Sequence, residues 1–227
     1  MAPAISLQSA VAVAGRFPVL AGVDLTLSEG MVCAVLGANG AGKTSLLRLL
    51  AGLMTLERGS GSVLGFNLTT ERASVRSHVG LMGHGIGLYE ELLPKENLVF
   101  ALKAARLDPK RADEALDRVG INDRTAATPV GQLSAGQQRR VVLASLIARR
   151  PRLWLLDEPH ASLDEQARTL IAGVIEEAAQ GGATVVATSH EPELAVPMAD
   201  VVVTMGGGVV TSSTLGGRNQ DGVTHVA

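Results

Sequence analysis

Gly37-Ala38-Asn39-Gly40-Ala41-Gly42-Lys43-Thr44 satisfies the pattern G-x-x-x-x-G-K-[ST] and stands between two readable elements. Upstream, residues 31–36 form a short apolar run ending in Gly37, which reads as a buried strand entering a glycine loop. Downstream, Leu46, Leu47, Leu49, Leu50 and Leu53 recur at helical spacing, with Gly52 near the stop. Glycines let successive backbone N–H groups turn inward around a phosphate, and the helix N-terminus adds its positive dipole end. Lys43 is placed to reach the β- and γ-oxygens, and Thr44 offers a hydroxyl to Mg²⁺. An Asn-Gly turn leading into a helix is the plain alternative. The strand before and the helix after favour the phosphate loop.

Such a loop needs a strand that delivers acids to the same edge, and Leu153-Trp154-Leu155-Leu156-Asp157-Glu158 has that form. Ligands of open α/β sheets collect at the carboxyl ends of the strands. Asp157 is read as holding Mg²⁺ through water, and Glu158 as polarising the attacking water. Residues 184–187 and 201–205 are further short apolar runs. A helix carrying Leu170, Ile171, Val174, Ile175 and Ala178 on one stripe closes at Gly181-Gly182. Strand, loop and helix in alternation predict an α/β fold with a mainly parallel sheet. Ile5, Leu7, Val11 and Val13 alternate at odd positions and predict a first strand. Residues 84–150 hold no strong strand run, and 101–107 and 112–119 read as helices flanked by Pro109 and Gly120. The chain is thus expected to be one domain, a core of 1–83 and 151–212 with a helical subdomain of 84–150 inserted. Residues 213–227, polar and glycine-rich, are expected to be a mobile tail.

Composition narrows the classes. The chain has 227 residues and 46% hydrophobic residues, enough for a sizeable core, but only 2% aromatics, so aliphatic side chains must fill it. A net charge of -2 and a pI near 6.2 give no broad cationic surface, so no nucleic-acid partner is expected. Cys33 is the only cysteine, in an apolar run, and reads as a buried small hydrophobe in a reducing compartment. No apolar run approaches the roughly 18 residues of a membrane span, and the first residues lack the basic start of a secretory signal. If the protein works at a membrane, another chain is expected to hold it there.

Leu133-Ser134-Ala135-Gly136-Gln137-Gln138-Arg139-Arg140 opens a helix with Val142, Leu143, Leu146 and Ile147 as its buried stripe. Ser134 with Gln137 three residues on is a capping box. It also leaves a second helix N-terminus lined by Ser, Gly and Gln. The first loop already wraps the β-phosphate, so the simplest use of a second anion site is the γ-phosphate of a nucleotide held by another copy. Two-fold symmetry then makes two composite sites.

At this point the sequence resembles the ABC transporter ATPases. Leu133 to Gln137 is similar to their signature LSGGQ, with Ala135 in place of the first glycine; Ser162-Leu163-Asp164 resembles the D-loop, and His190 in Thr188-Ser189-His190 resembles the switch histidine. The resemblance implies a P-loop NTPase core of RecA-like type with a mainly parallel sheet, an antiparallel β edge at the N-terminus and an inserted helical subdomain. It implies ATP and Mg²⁺. Gly37, Ala38, Asn39, Gly40, Ala41, Gly42, Lys43, Thr44 and Ser45 would contact ATP, with Ser134, Ala135, Gly136, Gln137 and Asp164 approaching from the opposite copy. Thr44 and Asp157 would hold Mg²⁺, and Lys43, Glu158, His190 and His84 would be catalytic. His84 stands where the family's Q-loop carries glutamine after the strand at 79–82. The aromatic residue that stacks on adenine would fall near Ala14, with Phe17 the nearest ring.

The Gly83-His84 pair, the stretches GANGAGKTSLLR at 37–48, LSAGQQRR at 133–140 and WLLDEP at 154–159, and Glu96-Asn97-Leu98-Val99-Phe100 are similar to the haem-exporter ATPases of cytochrome c maturation, the CcmA type. That resemblance implies an ATP hydrolase powering a haem exporter in c-type cytochrome biogenesis. Lipid, drug and cell-division ABC ATPases are the alternatives, with non-transport ABC ATPases beyond them. The implied partners are a second copy, head to tail, and an integral membrane permease whose short helix docks near residues 88–97. Contact with the membrane is then indirect, on the cytoplasmic face of the inner membrane.

Overall fold

The computed structural model describes residues 3–83, 87–161 and 165–219. In chain order it holds β1 (Pro3–Ala14), β2 (Phe17–Ser28), β3 (Val32–Leu36), α1 (Lys43–Leu50), β4 (Arg58–Val63), β5 (Phe66–Asn67), α2 (Arg72–His78) and β6 (Val79–Met82). Helices α3 (Pro94–Ala104), α4 (Arg111–Arg118), α5 (Asp123–Ala126) and α6 (Ala135–Arg149) follow. The chain then returns through β7 (Leu153–Leu156), α7 (Glu165–Gln180), β8 (Thr184–Ser189), α8 (Pro192–Ala195), β9 (Val201–Gly206) and β10 (Val209–Leu215).

One sheet has the order β10-β9-β3-β8-β7-β6, parallel from β9 to β6 with β10 antiparallel at one edge. The other, β2-β1-β4-β5, is antiparallel throughout. The fold is therefore α/β, mainly parallel, with an antiparallel N-terminal sheet. The parallel strands read as continuous apolar runs because both of their faces are covered. Cys33, Val35, Leu153, Leu155, Val186 and Val203 face the α1 side; Val32, Trp154, Leu156 and Val185 face the helices of the other. Helix α1 lies between the two sheets, with Leu46, Leu47, Leu49 and Leu50 all fully buried. Burial raises the Cys33 thiol to about 12, so it acts as a small apolar residue.

Several sequence expectations shift. The odd-position alternation of β1 holds through Ile5 and Leu7, then breaks at Ser9, whose φ is 47°. Register shifts on both neighbours mark a bulge there, after which Ala10 and Ala12 are buried while Val11 and Val13 are half-buried. Gly59 makes room for it, since a Cβ at that position would collide with the Gln8 and Ser9 carbonyl oxygens. Helix α3 starts well before residue 101, with Pro94 at its first position and the Leu93 N–H bonded to Glu96 Oε2 at 2.8 Å. On α6 the buried face is wider than a stripe, because Val141, Ala144 and Ala148 are buried and Ile147 is half-buried.

The expected tail is corrected at its start. Residues 213–215 complete β10 against β9, and the Gly216 N–H bonds to the Asp200 carbonyl at 2.9 Å. Arg218 pairs with Asp200 at 2.9 Å and Glu176 at 3.0 Å, anchoring this segment by charge where the sequence shows only polar residues. Residues 220–227 lie outside the described residues.

Candidate active site

Register brings the strand ends to one edge. Leu36 is paired with Ser189 and Leu156 with Ala187, so the residues that follow β3, β7 and β8 emerge side by side. Gly37 leaves β3 with φ 151°, and a Cβ there would collide with the Met205 carbonyl oxygen. Gly42 caps α1 at φ 101°, where a Cβ would lie 2.8 Å from the Val19 carbonyl oxygen. No other residue type fits either position, for reasons of backbone conformation and neighbour both.

Lys43 is buried, and its ammonium donates to the Gly37 carbonyl at 2.5 Å and the Ala38 carbonyl at 3.4 Å. It stands 3.4 Å from Glu158 Oε1. The other oxygen of Glu158, Oε2, lies 2.9 Å from His190 Nδ1. Glu158 itself is only 11% exposed at its side chain, whereas His190 is half exposed. A carboxylate clasped between an ammonium and an imidazole is oriented, and open to solvent on the imidazole side. Asp157 is buried; its Oδ2 accepts from Thr44 Oγ1 at 2.8 Å and its Oδ1 from Thr188 Oγ1 at 2.8 Å. The structure thus brings Lys43, Thr44, Asp157, Glu158 and His190 into one bonded cluster.

Ser134, Ala135, Gly136 and Gln137 stand apart from it. Ser134 Oγ accepts from the Gln137 N–H at 3.3 Å, and Gln137 Oε1 accepts from the Ser134 N–H at 2.9 Å, so the capping box is complete. Ser134 and Ala135 are exposed and Gly136 is half-buried. A Cβ on Gly136 would meet nothing within 4 Å. Among the described residues, none of the hydrogen bonds or ion pairs joins these four to Lys43, Thr44, Asp157 or Glu158. Among the described residues, helix α6 reaches the acid turn through Arg139 donating to the Ala161 carbonyl, two turn residues beyond the Glu158-Pro159 corner. Two expected site residues, His84 and Asp164, lie outside the described residues. Ser45 sits half-buried on α1. Phe17, at the start of the strand whose Val19 abuts Gly42, is 77% exposed, while Ala14 offers no ring.

Sequence reading missed Thr188 as a contributor, and also His160. The latter is buried with no hydrogen-bond partner at Nδ1 among the described residues. Burial lowers its pKa from the ordinary 6.5, Arg168 pushes the same way, and Glu191 partly opposes. The unfolded chain therefore takes up this proton at a higher pH than the folded one. The stability linked to His160 is fully present above about pH 6.5 and is lost as pH falls towards the lowered folded value. Melting temperatures measured from about pH 7.5 down to about 5.5 should decline, and His160→Phe should flatten that decline; an unchanged slope in the variant would assign it elsewhere.

A family model described as "ABC transporter" matches residues 20–161. The cytochrome c biogenesis ATP-binding export protein CcmA of Methylococcus capsulatus is 42% identical over 171 residues, 74% of this chain and 82% of that protein. The glutamate transport ATP-binding protein GluA of Corynebacterium glutamicum is 34% identical over 208 residues, 88% of this chain and 86% of that protein. Among solved structures, a dimeric ATP-binding cassette in a post-hydrolysis state bound to ADP and Pi superposes with a TM-score of 0.86 at 23% identity, covering 93% of this chain and 98% of that one. That likeness carries the fold; the sequence matches carry the family. By the family match over most of its length and its relative at 42% identity, the chain belongs to the ABC transporter family.

Proposed function

We propose that this chain is the ATP-hydrolysing subunit of an export complex of c-type cytochrome biogenesis, of the haem-exporter type. The carrying observation is the cluster at the sheet edge, in which Lys43, Glu158 and His190 are linked within 3.4 Å beside the Thr44–Asp157 pair. The export subtype is supported by the 42% identity to CcmA. Two copies close head to tail around two ATP molecules. In each site the loop amides of residues 37–45 and Lys43 hold the phosphates. Thr44 and Asp157, whose oxygens meet at 2.8 Å, are hard oxygen donors of the kind Mg²⁺ takes. When held there, Mg²⁺ would supply positive charge against the phosphate oxygens. Glu158 orients the water for in-line attack, and His190 stabilises the developing charge. Ser134, Ala135, Gly136, Gln137 and Asp164 approach from the opposite copy, and His84 takes the place of the Q-loop glutamine. Phe17 is the ring available to adenine. Work comes from ATP favouring the closed pair of chains over the open one.

The membrane partner is a permease that docks on the helical subdomain. Leu53, Tyr89 and Phe100, each about half exposed, border one cavity of about 590 Å³ formed by the turn after α1, the end of β6, α3 and α6. Tyr89 and Phe100 meet edge to face at 4.9 Å, giving the groove a rigid aromatic wall. Three of the large apolar side chains exposed among the described residues thus share one concavity, which supports a buried apolar contact with a short helix. No helix of the described residues is long and apolar enough to cross a membrane. The export subtype, supported by the likeness to CcmA, carries with it a place on the cytoplasmic face of the inner membrane, held by the permease.

The competing reading is the ATPase of another ABC transporter, favoured by the longer match to GluA. Deleting the gene separates the two. Accumulation of c-type cytochromes without attached haem, restored by the wild-type gene and not by a Lys43→Ala copy, is the expected outcome. Normal haem attachment in the deletion strain would exclude the export subtype and leave the ATPase reading standing.

A further inference from the structure

Thr188 lies at the penultimate position of β8 and is fully buried. Its Oγ1 donates to Asp157 Oδ1 at 2.8 Å and accepts the Glu158 backbone N–H at 2.9 Å. The directions are fixed by chemistry. An ionised carboxylate only accepts and a backbone N–H only donates, so the hydroxyl proton points at Asp157 and a lone pair at Glu158. In a dry site each of the two bonds polarises the other. Glu158 meanwhile has φ 50°, a left-handed conformation disfavoured for any residue with a Cβ. Its carboxylate is set by Lys43 and His190, but its backbone is set from β8, two residues before His190 itself.

We propose that Thr188 is a positioning residue for hydrolysis: one hydroxyl sets the rotation of the Asp157 carboxylate and holds Glu158 in the left-handed turn that aims its side chain. The inference rests on reading Glu158 as the group that orients the attacking water. The plain alternative is a threonine that fills a buried strand and satisfies its own hydroxyl. That role predicts a loss of stability from substitution with turnover preserved in the folded fraction. The positioning role predicts a loss of turnover in protein that is folded and binds ATP normally.

Valine copies the shape of threonine and bonds to neither partner. It removes one donor from Asp157 and leaves the Glu158 N–H without its acceptor. In full-length protein, Thr188→Val should lower kcat roughly 10- to 100-fold, the range for groups that orient a metal-binding carboxylate. The KM for ATP should stay within about twofold, and the half-saturating Mg²⁺ concentration should rise. Thr188→Ser, which keeps the hydroxyl, should bring kcat back to within about threefold of wild type. Combined with Glu158→Gln, Thr188→Val should cause a smaller further loss than it does alone, because its hold on Glu158 then has no carboxylate to aim and its hold on Asp157 is what remains to be lost. The proposal is overturned by a Thr188→Val protein with kcat within about threefold of wild type, by a serine variant as slow as the valine one, or by fully additive losses in the double variant. Should the valine variant fail to fold, Thr188→Ala assayed below its melting temperature carries the same comparison. Wild-type-like turnover in Glu158→Gln alone would instead remove the reading of Glu158, whatever Thr188 does.

Discussion

Glu158→Gln is expected to bind ATP at least as tightly as the wild type and to hydrolyse it about 10² to 10⁴ times more slowly, the span measured for positioned acid–base groups. Glutamine has the same outline, so the buried pocket that leaves the Glu158 side chain 11% exposed is not opened. What goes is the charge. Lys43, now 3.4 Å from a carboxylate oxygen, would face a neutral amide, and its ammonium is freer to serve the phosphates. His190 keeps a hydrogen-bond partner of similar length, so the imidazole is not released. Binding and closure thus survive while the water loses the group that polarises it. Light scattering of the ATP-loaded variant should report a longer-lived dimer than the wild type forms. Near-normal turnover would mean that Glu158 does not orient the water. A variant that stays monomeric with ATP, even beside the proposed permease, would remove the two-copy site.

Gly136→Asp should abolish turnover, by at least about 10²-fold, without harming the fold of the single chain. A Cβ at Gly136 meets nothing within 4 Å, and the residue sits in the first turn of α6, so the chain itself has no need of glycine there. An acid in the first turn even favours the helix dipole, and the melting temperature should hold or rise slightly. The same carboxylate repels the γ-phosphate that the turn is proposed to receive from the opposite copy. Ser134→Ala should act in the same direction and more weakly, since it removes a hydroxyl and adds no charge. ATP affinity measured at concentrations that keep the chain monomeric should be unchanged in both. An equal loss of monomer affinity would put the signature turn in the same copy as its nucleotide.

Those two variants probe features of unequal legibility. The loop from Gly37 to Thr44 and the acids Asp157 and Glu158 were readable because each is a contiguous pattern whose chemistry demands fixed spacing. The capping box of Ser134 and Gln137 was readable for the same reason, and the structure shows both of its bonds. The β1 bulge was not. Odd-position alternation continues across Ser9 on paper, and only the approach of Gly59 from a neighbouring strand accommodates the extra residue. The start of α3 had a local signal, Pro94 followed by Glu96, which the apolar pattern further along obscured. Thr188 gave none, since a β-branched residue in a buried strand is what any sheet contains.

By itself the sequence determined the strand, loop and helix of residues 31–53, the strand that ends at Asp157 and the capped helix start at Ser134, and it proposes which residues carry phosphate and acid chemistry, because periodicity and glycine-loop spacing act over a few neighbouring residues. Tertiary structure alone decided which of these residues touch. Thr44 meets Asp157, Lys43 meets Glu158 and Glu158 meets His190 only because β3, β7 and β8 pair in one register and end at one edge. Side chains distant along the chain acquire a distance from each other only when backbone hydrogen bonds between paired strands fix that register, which the spacing within each motif does not contain.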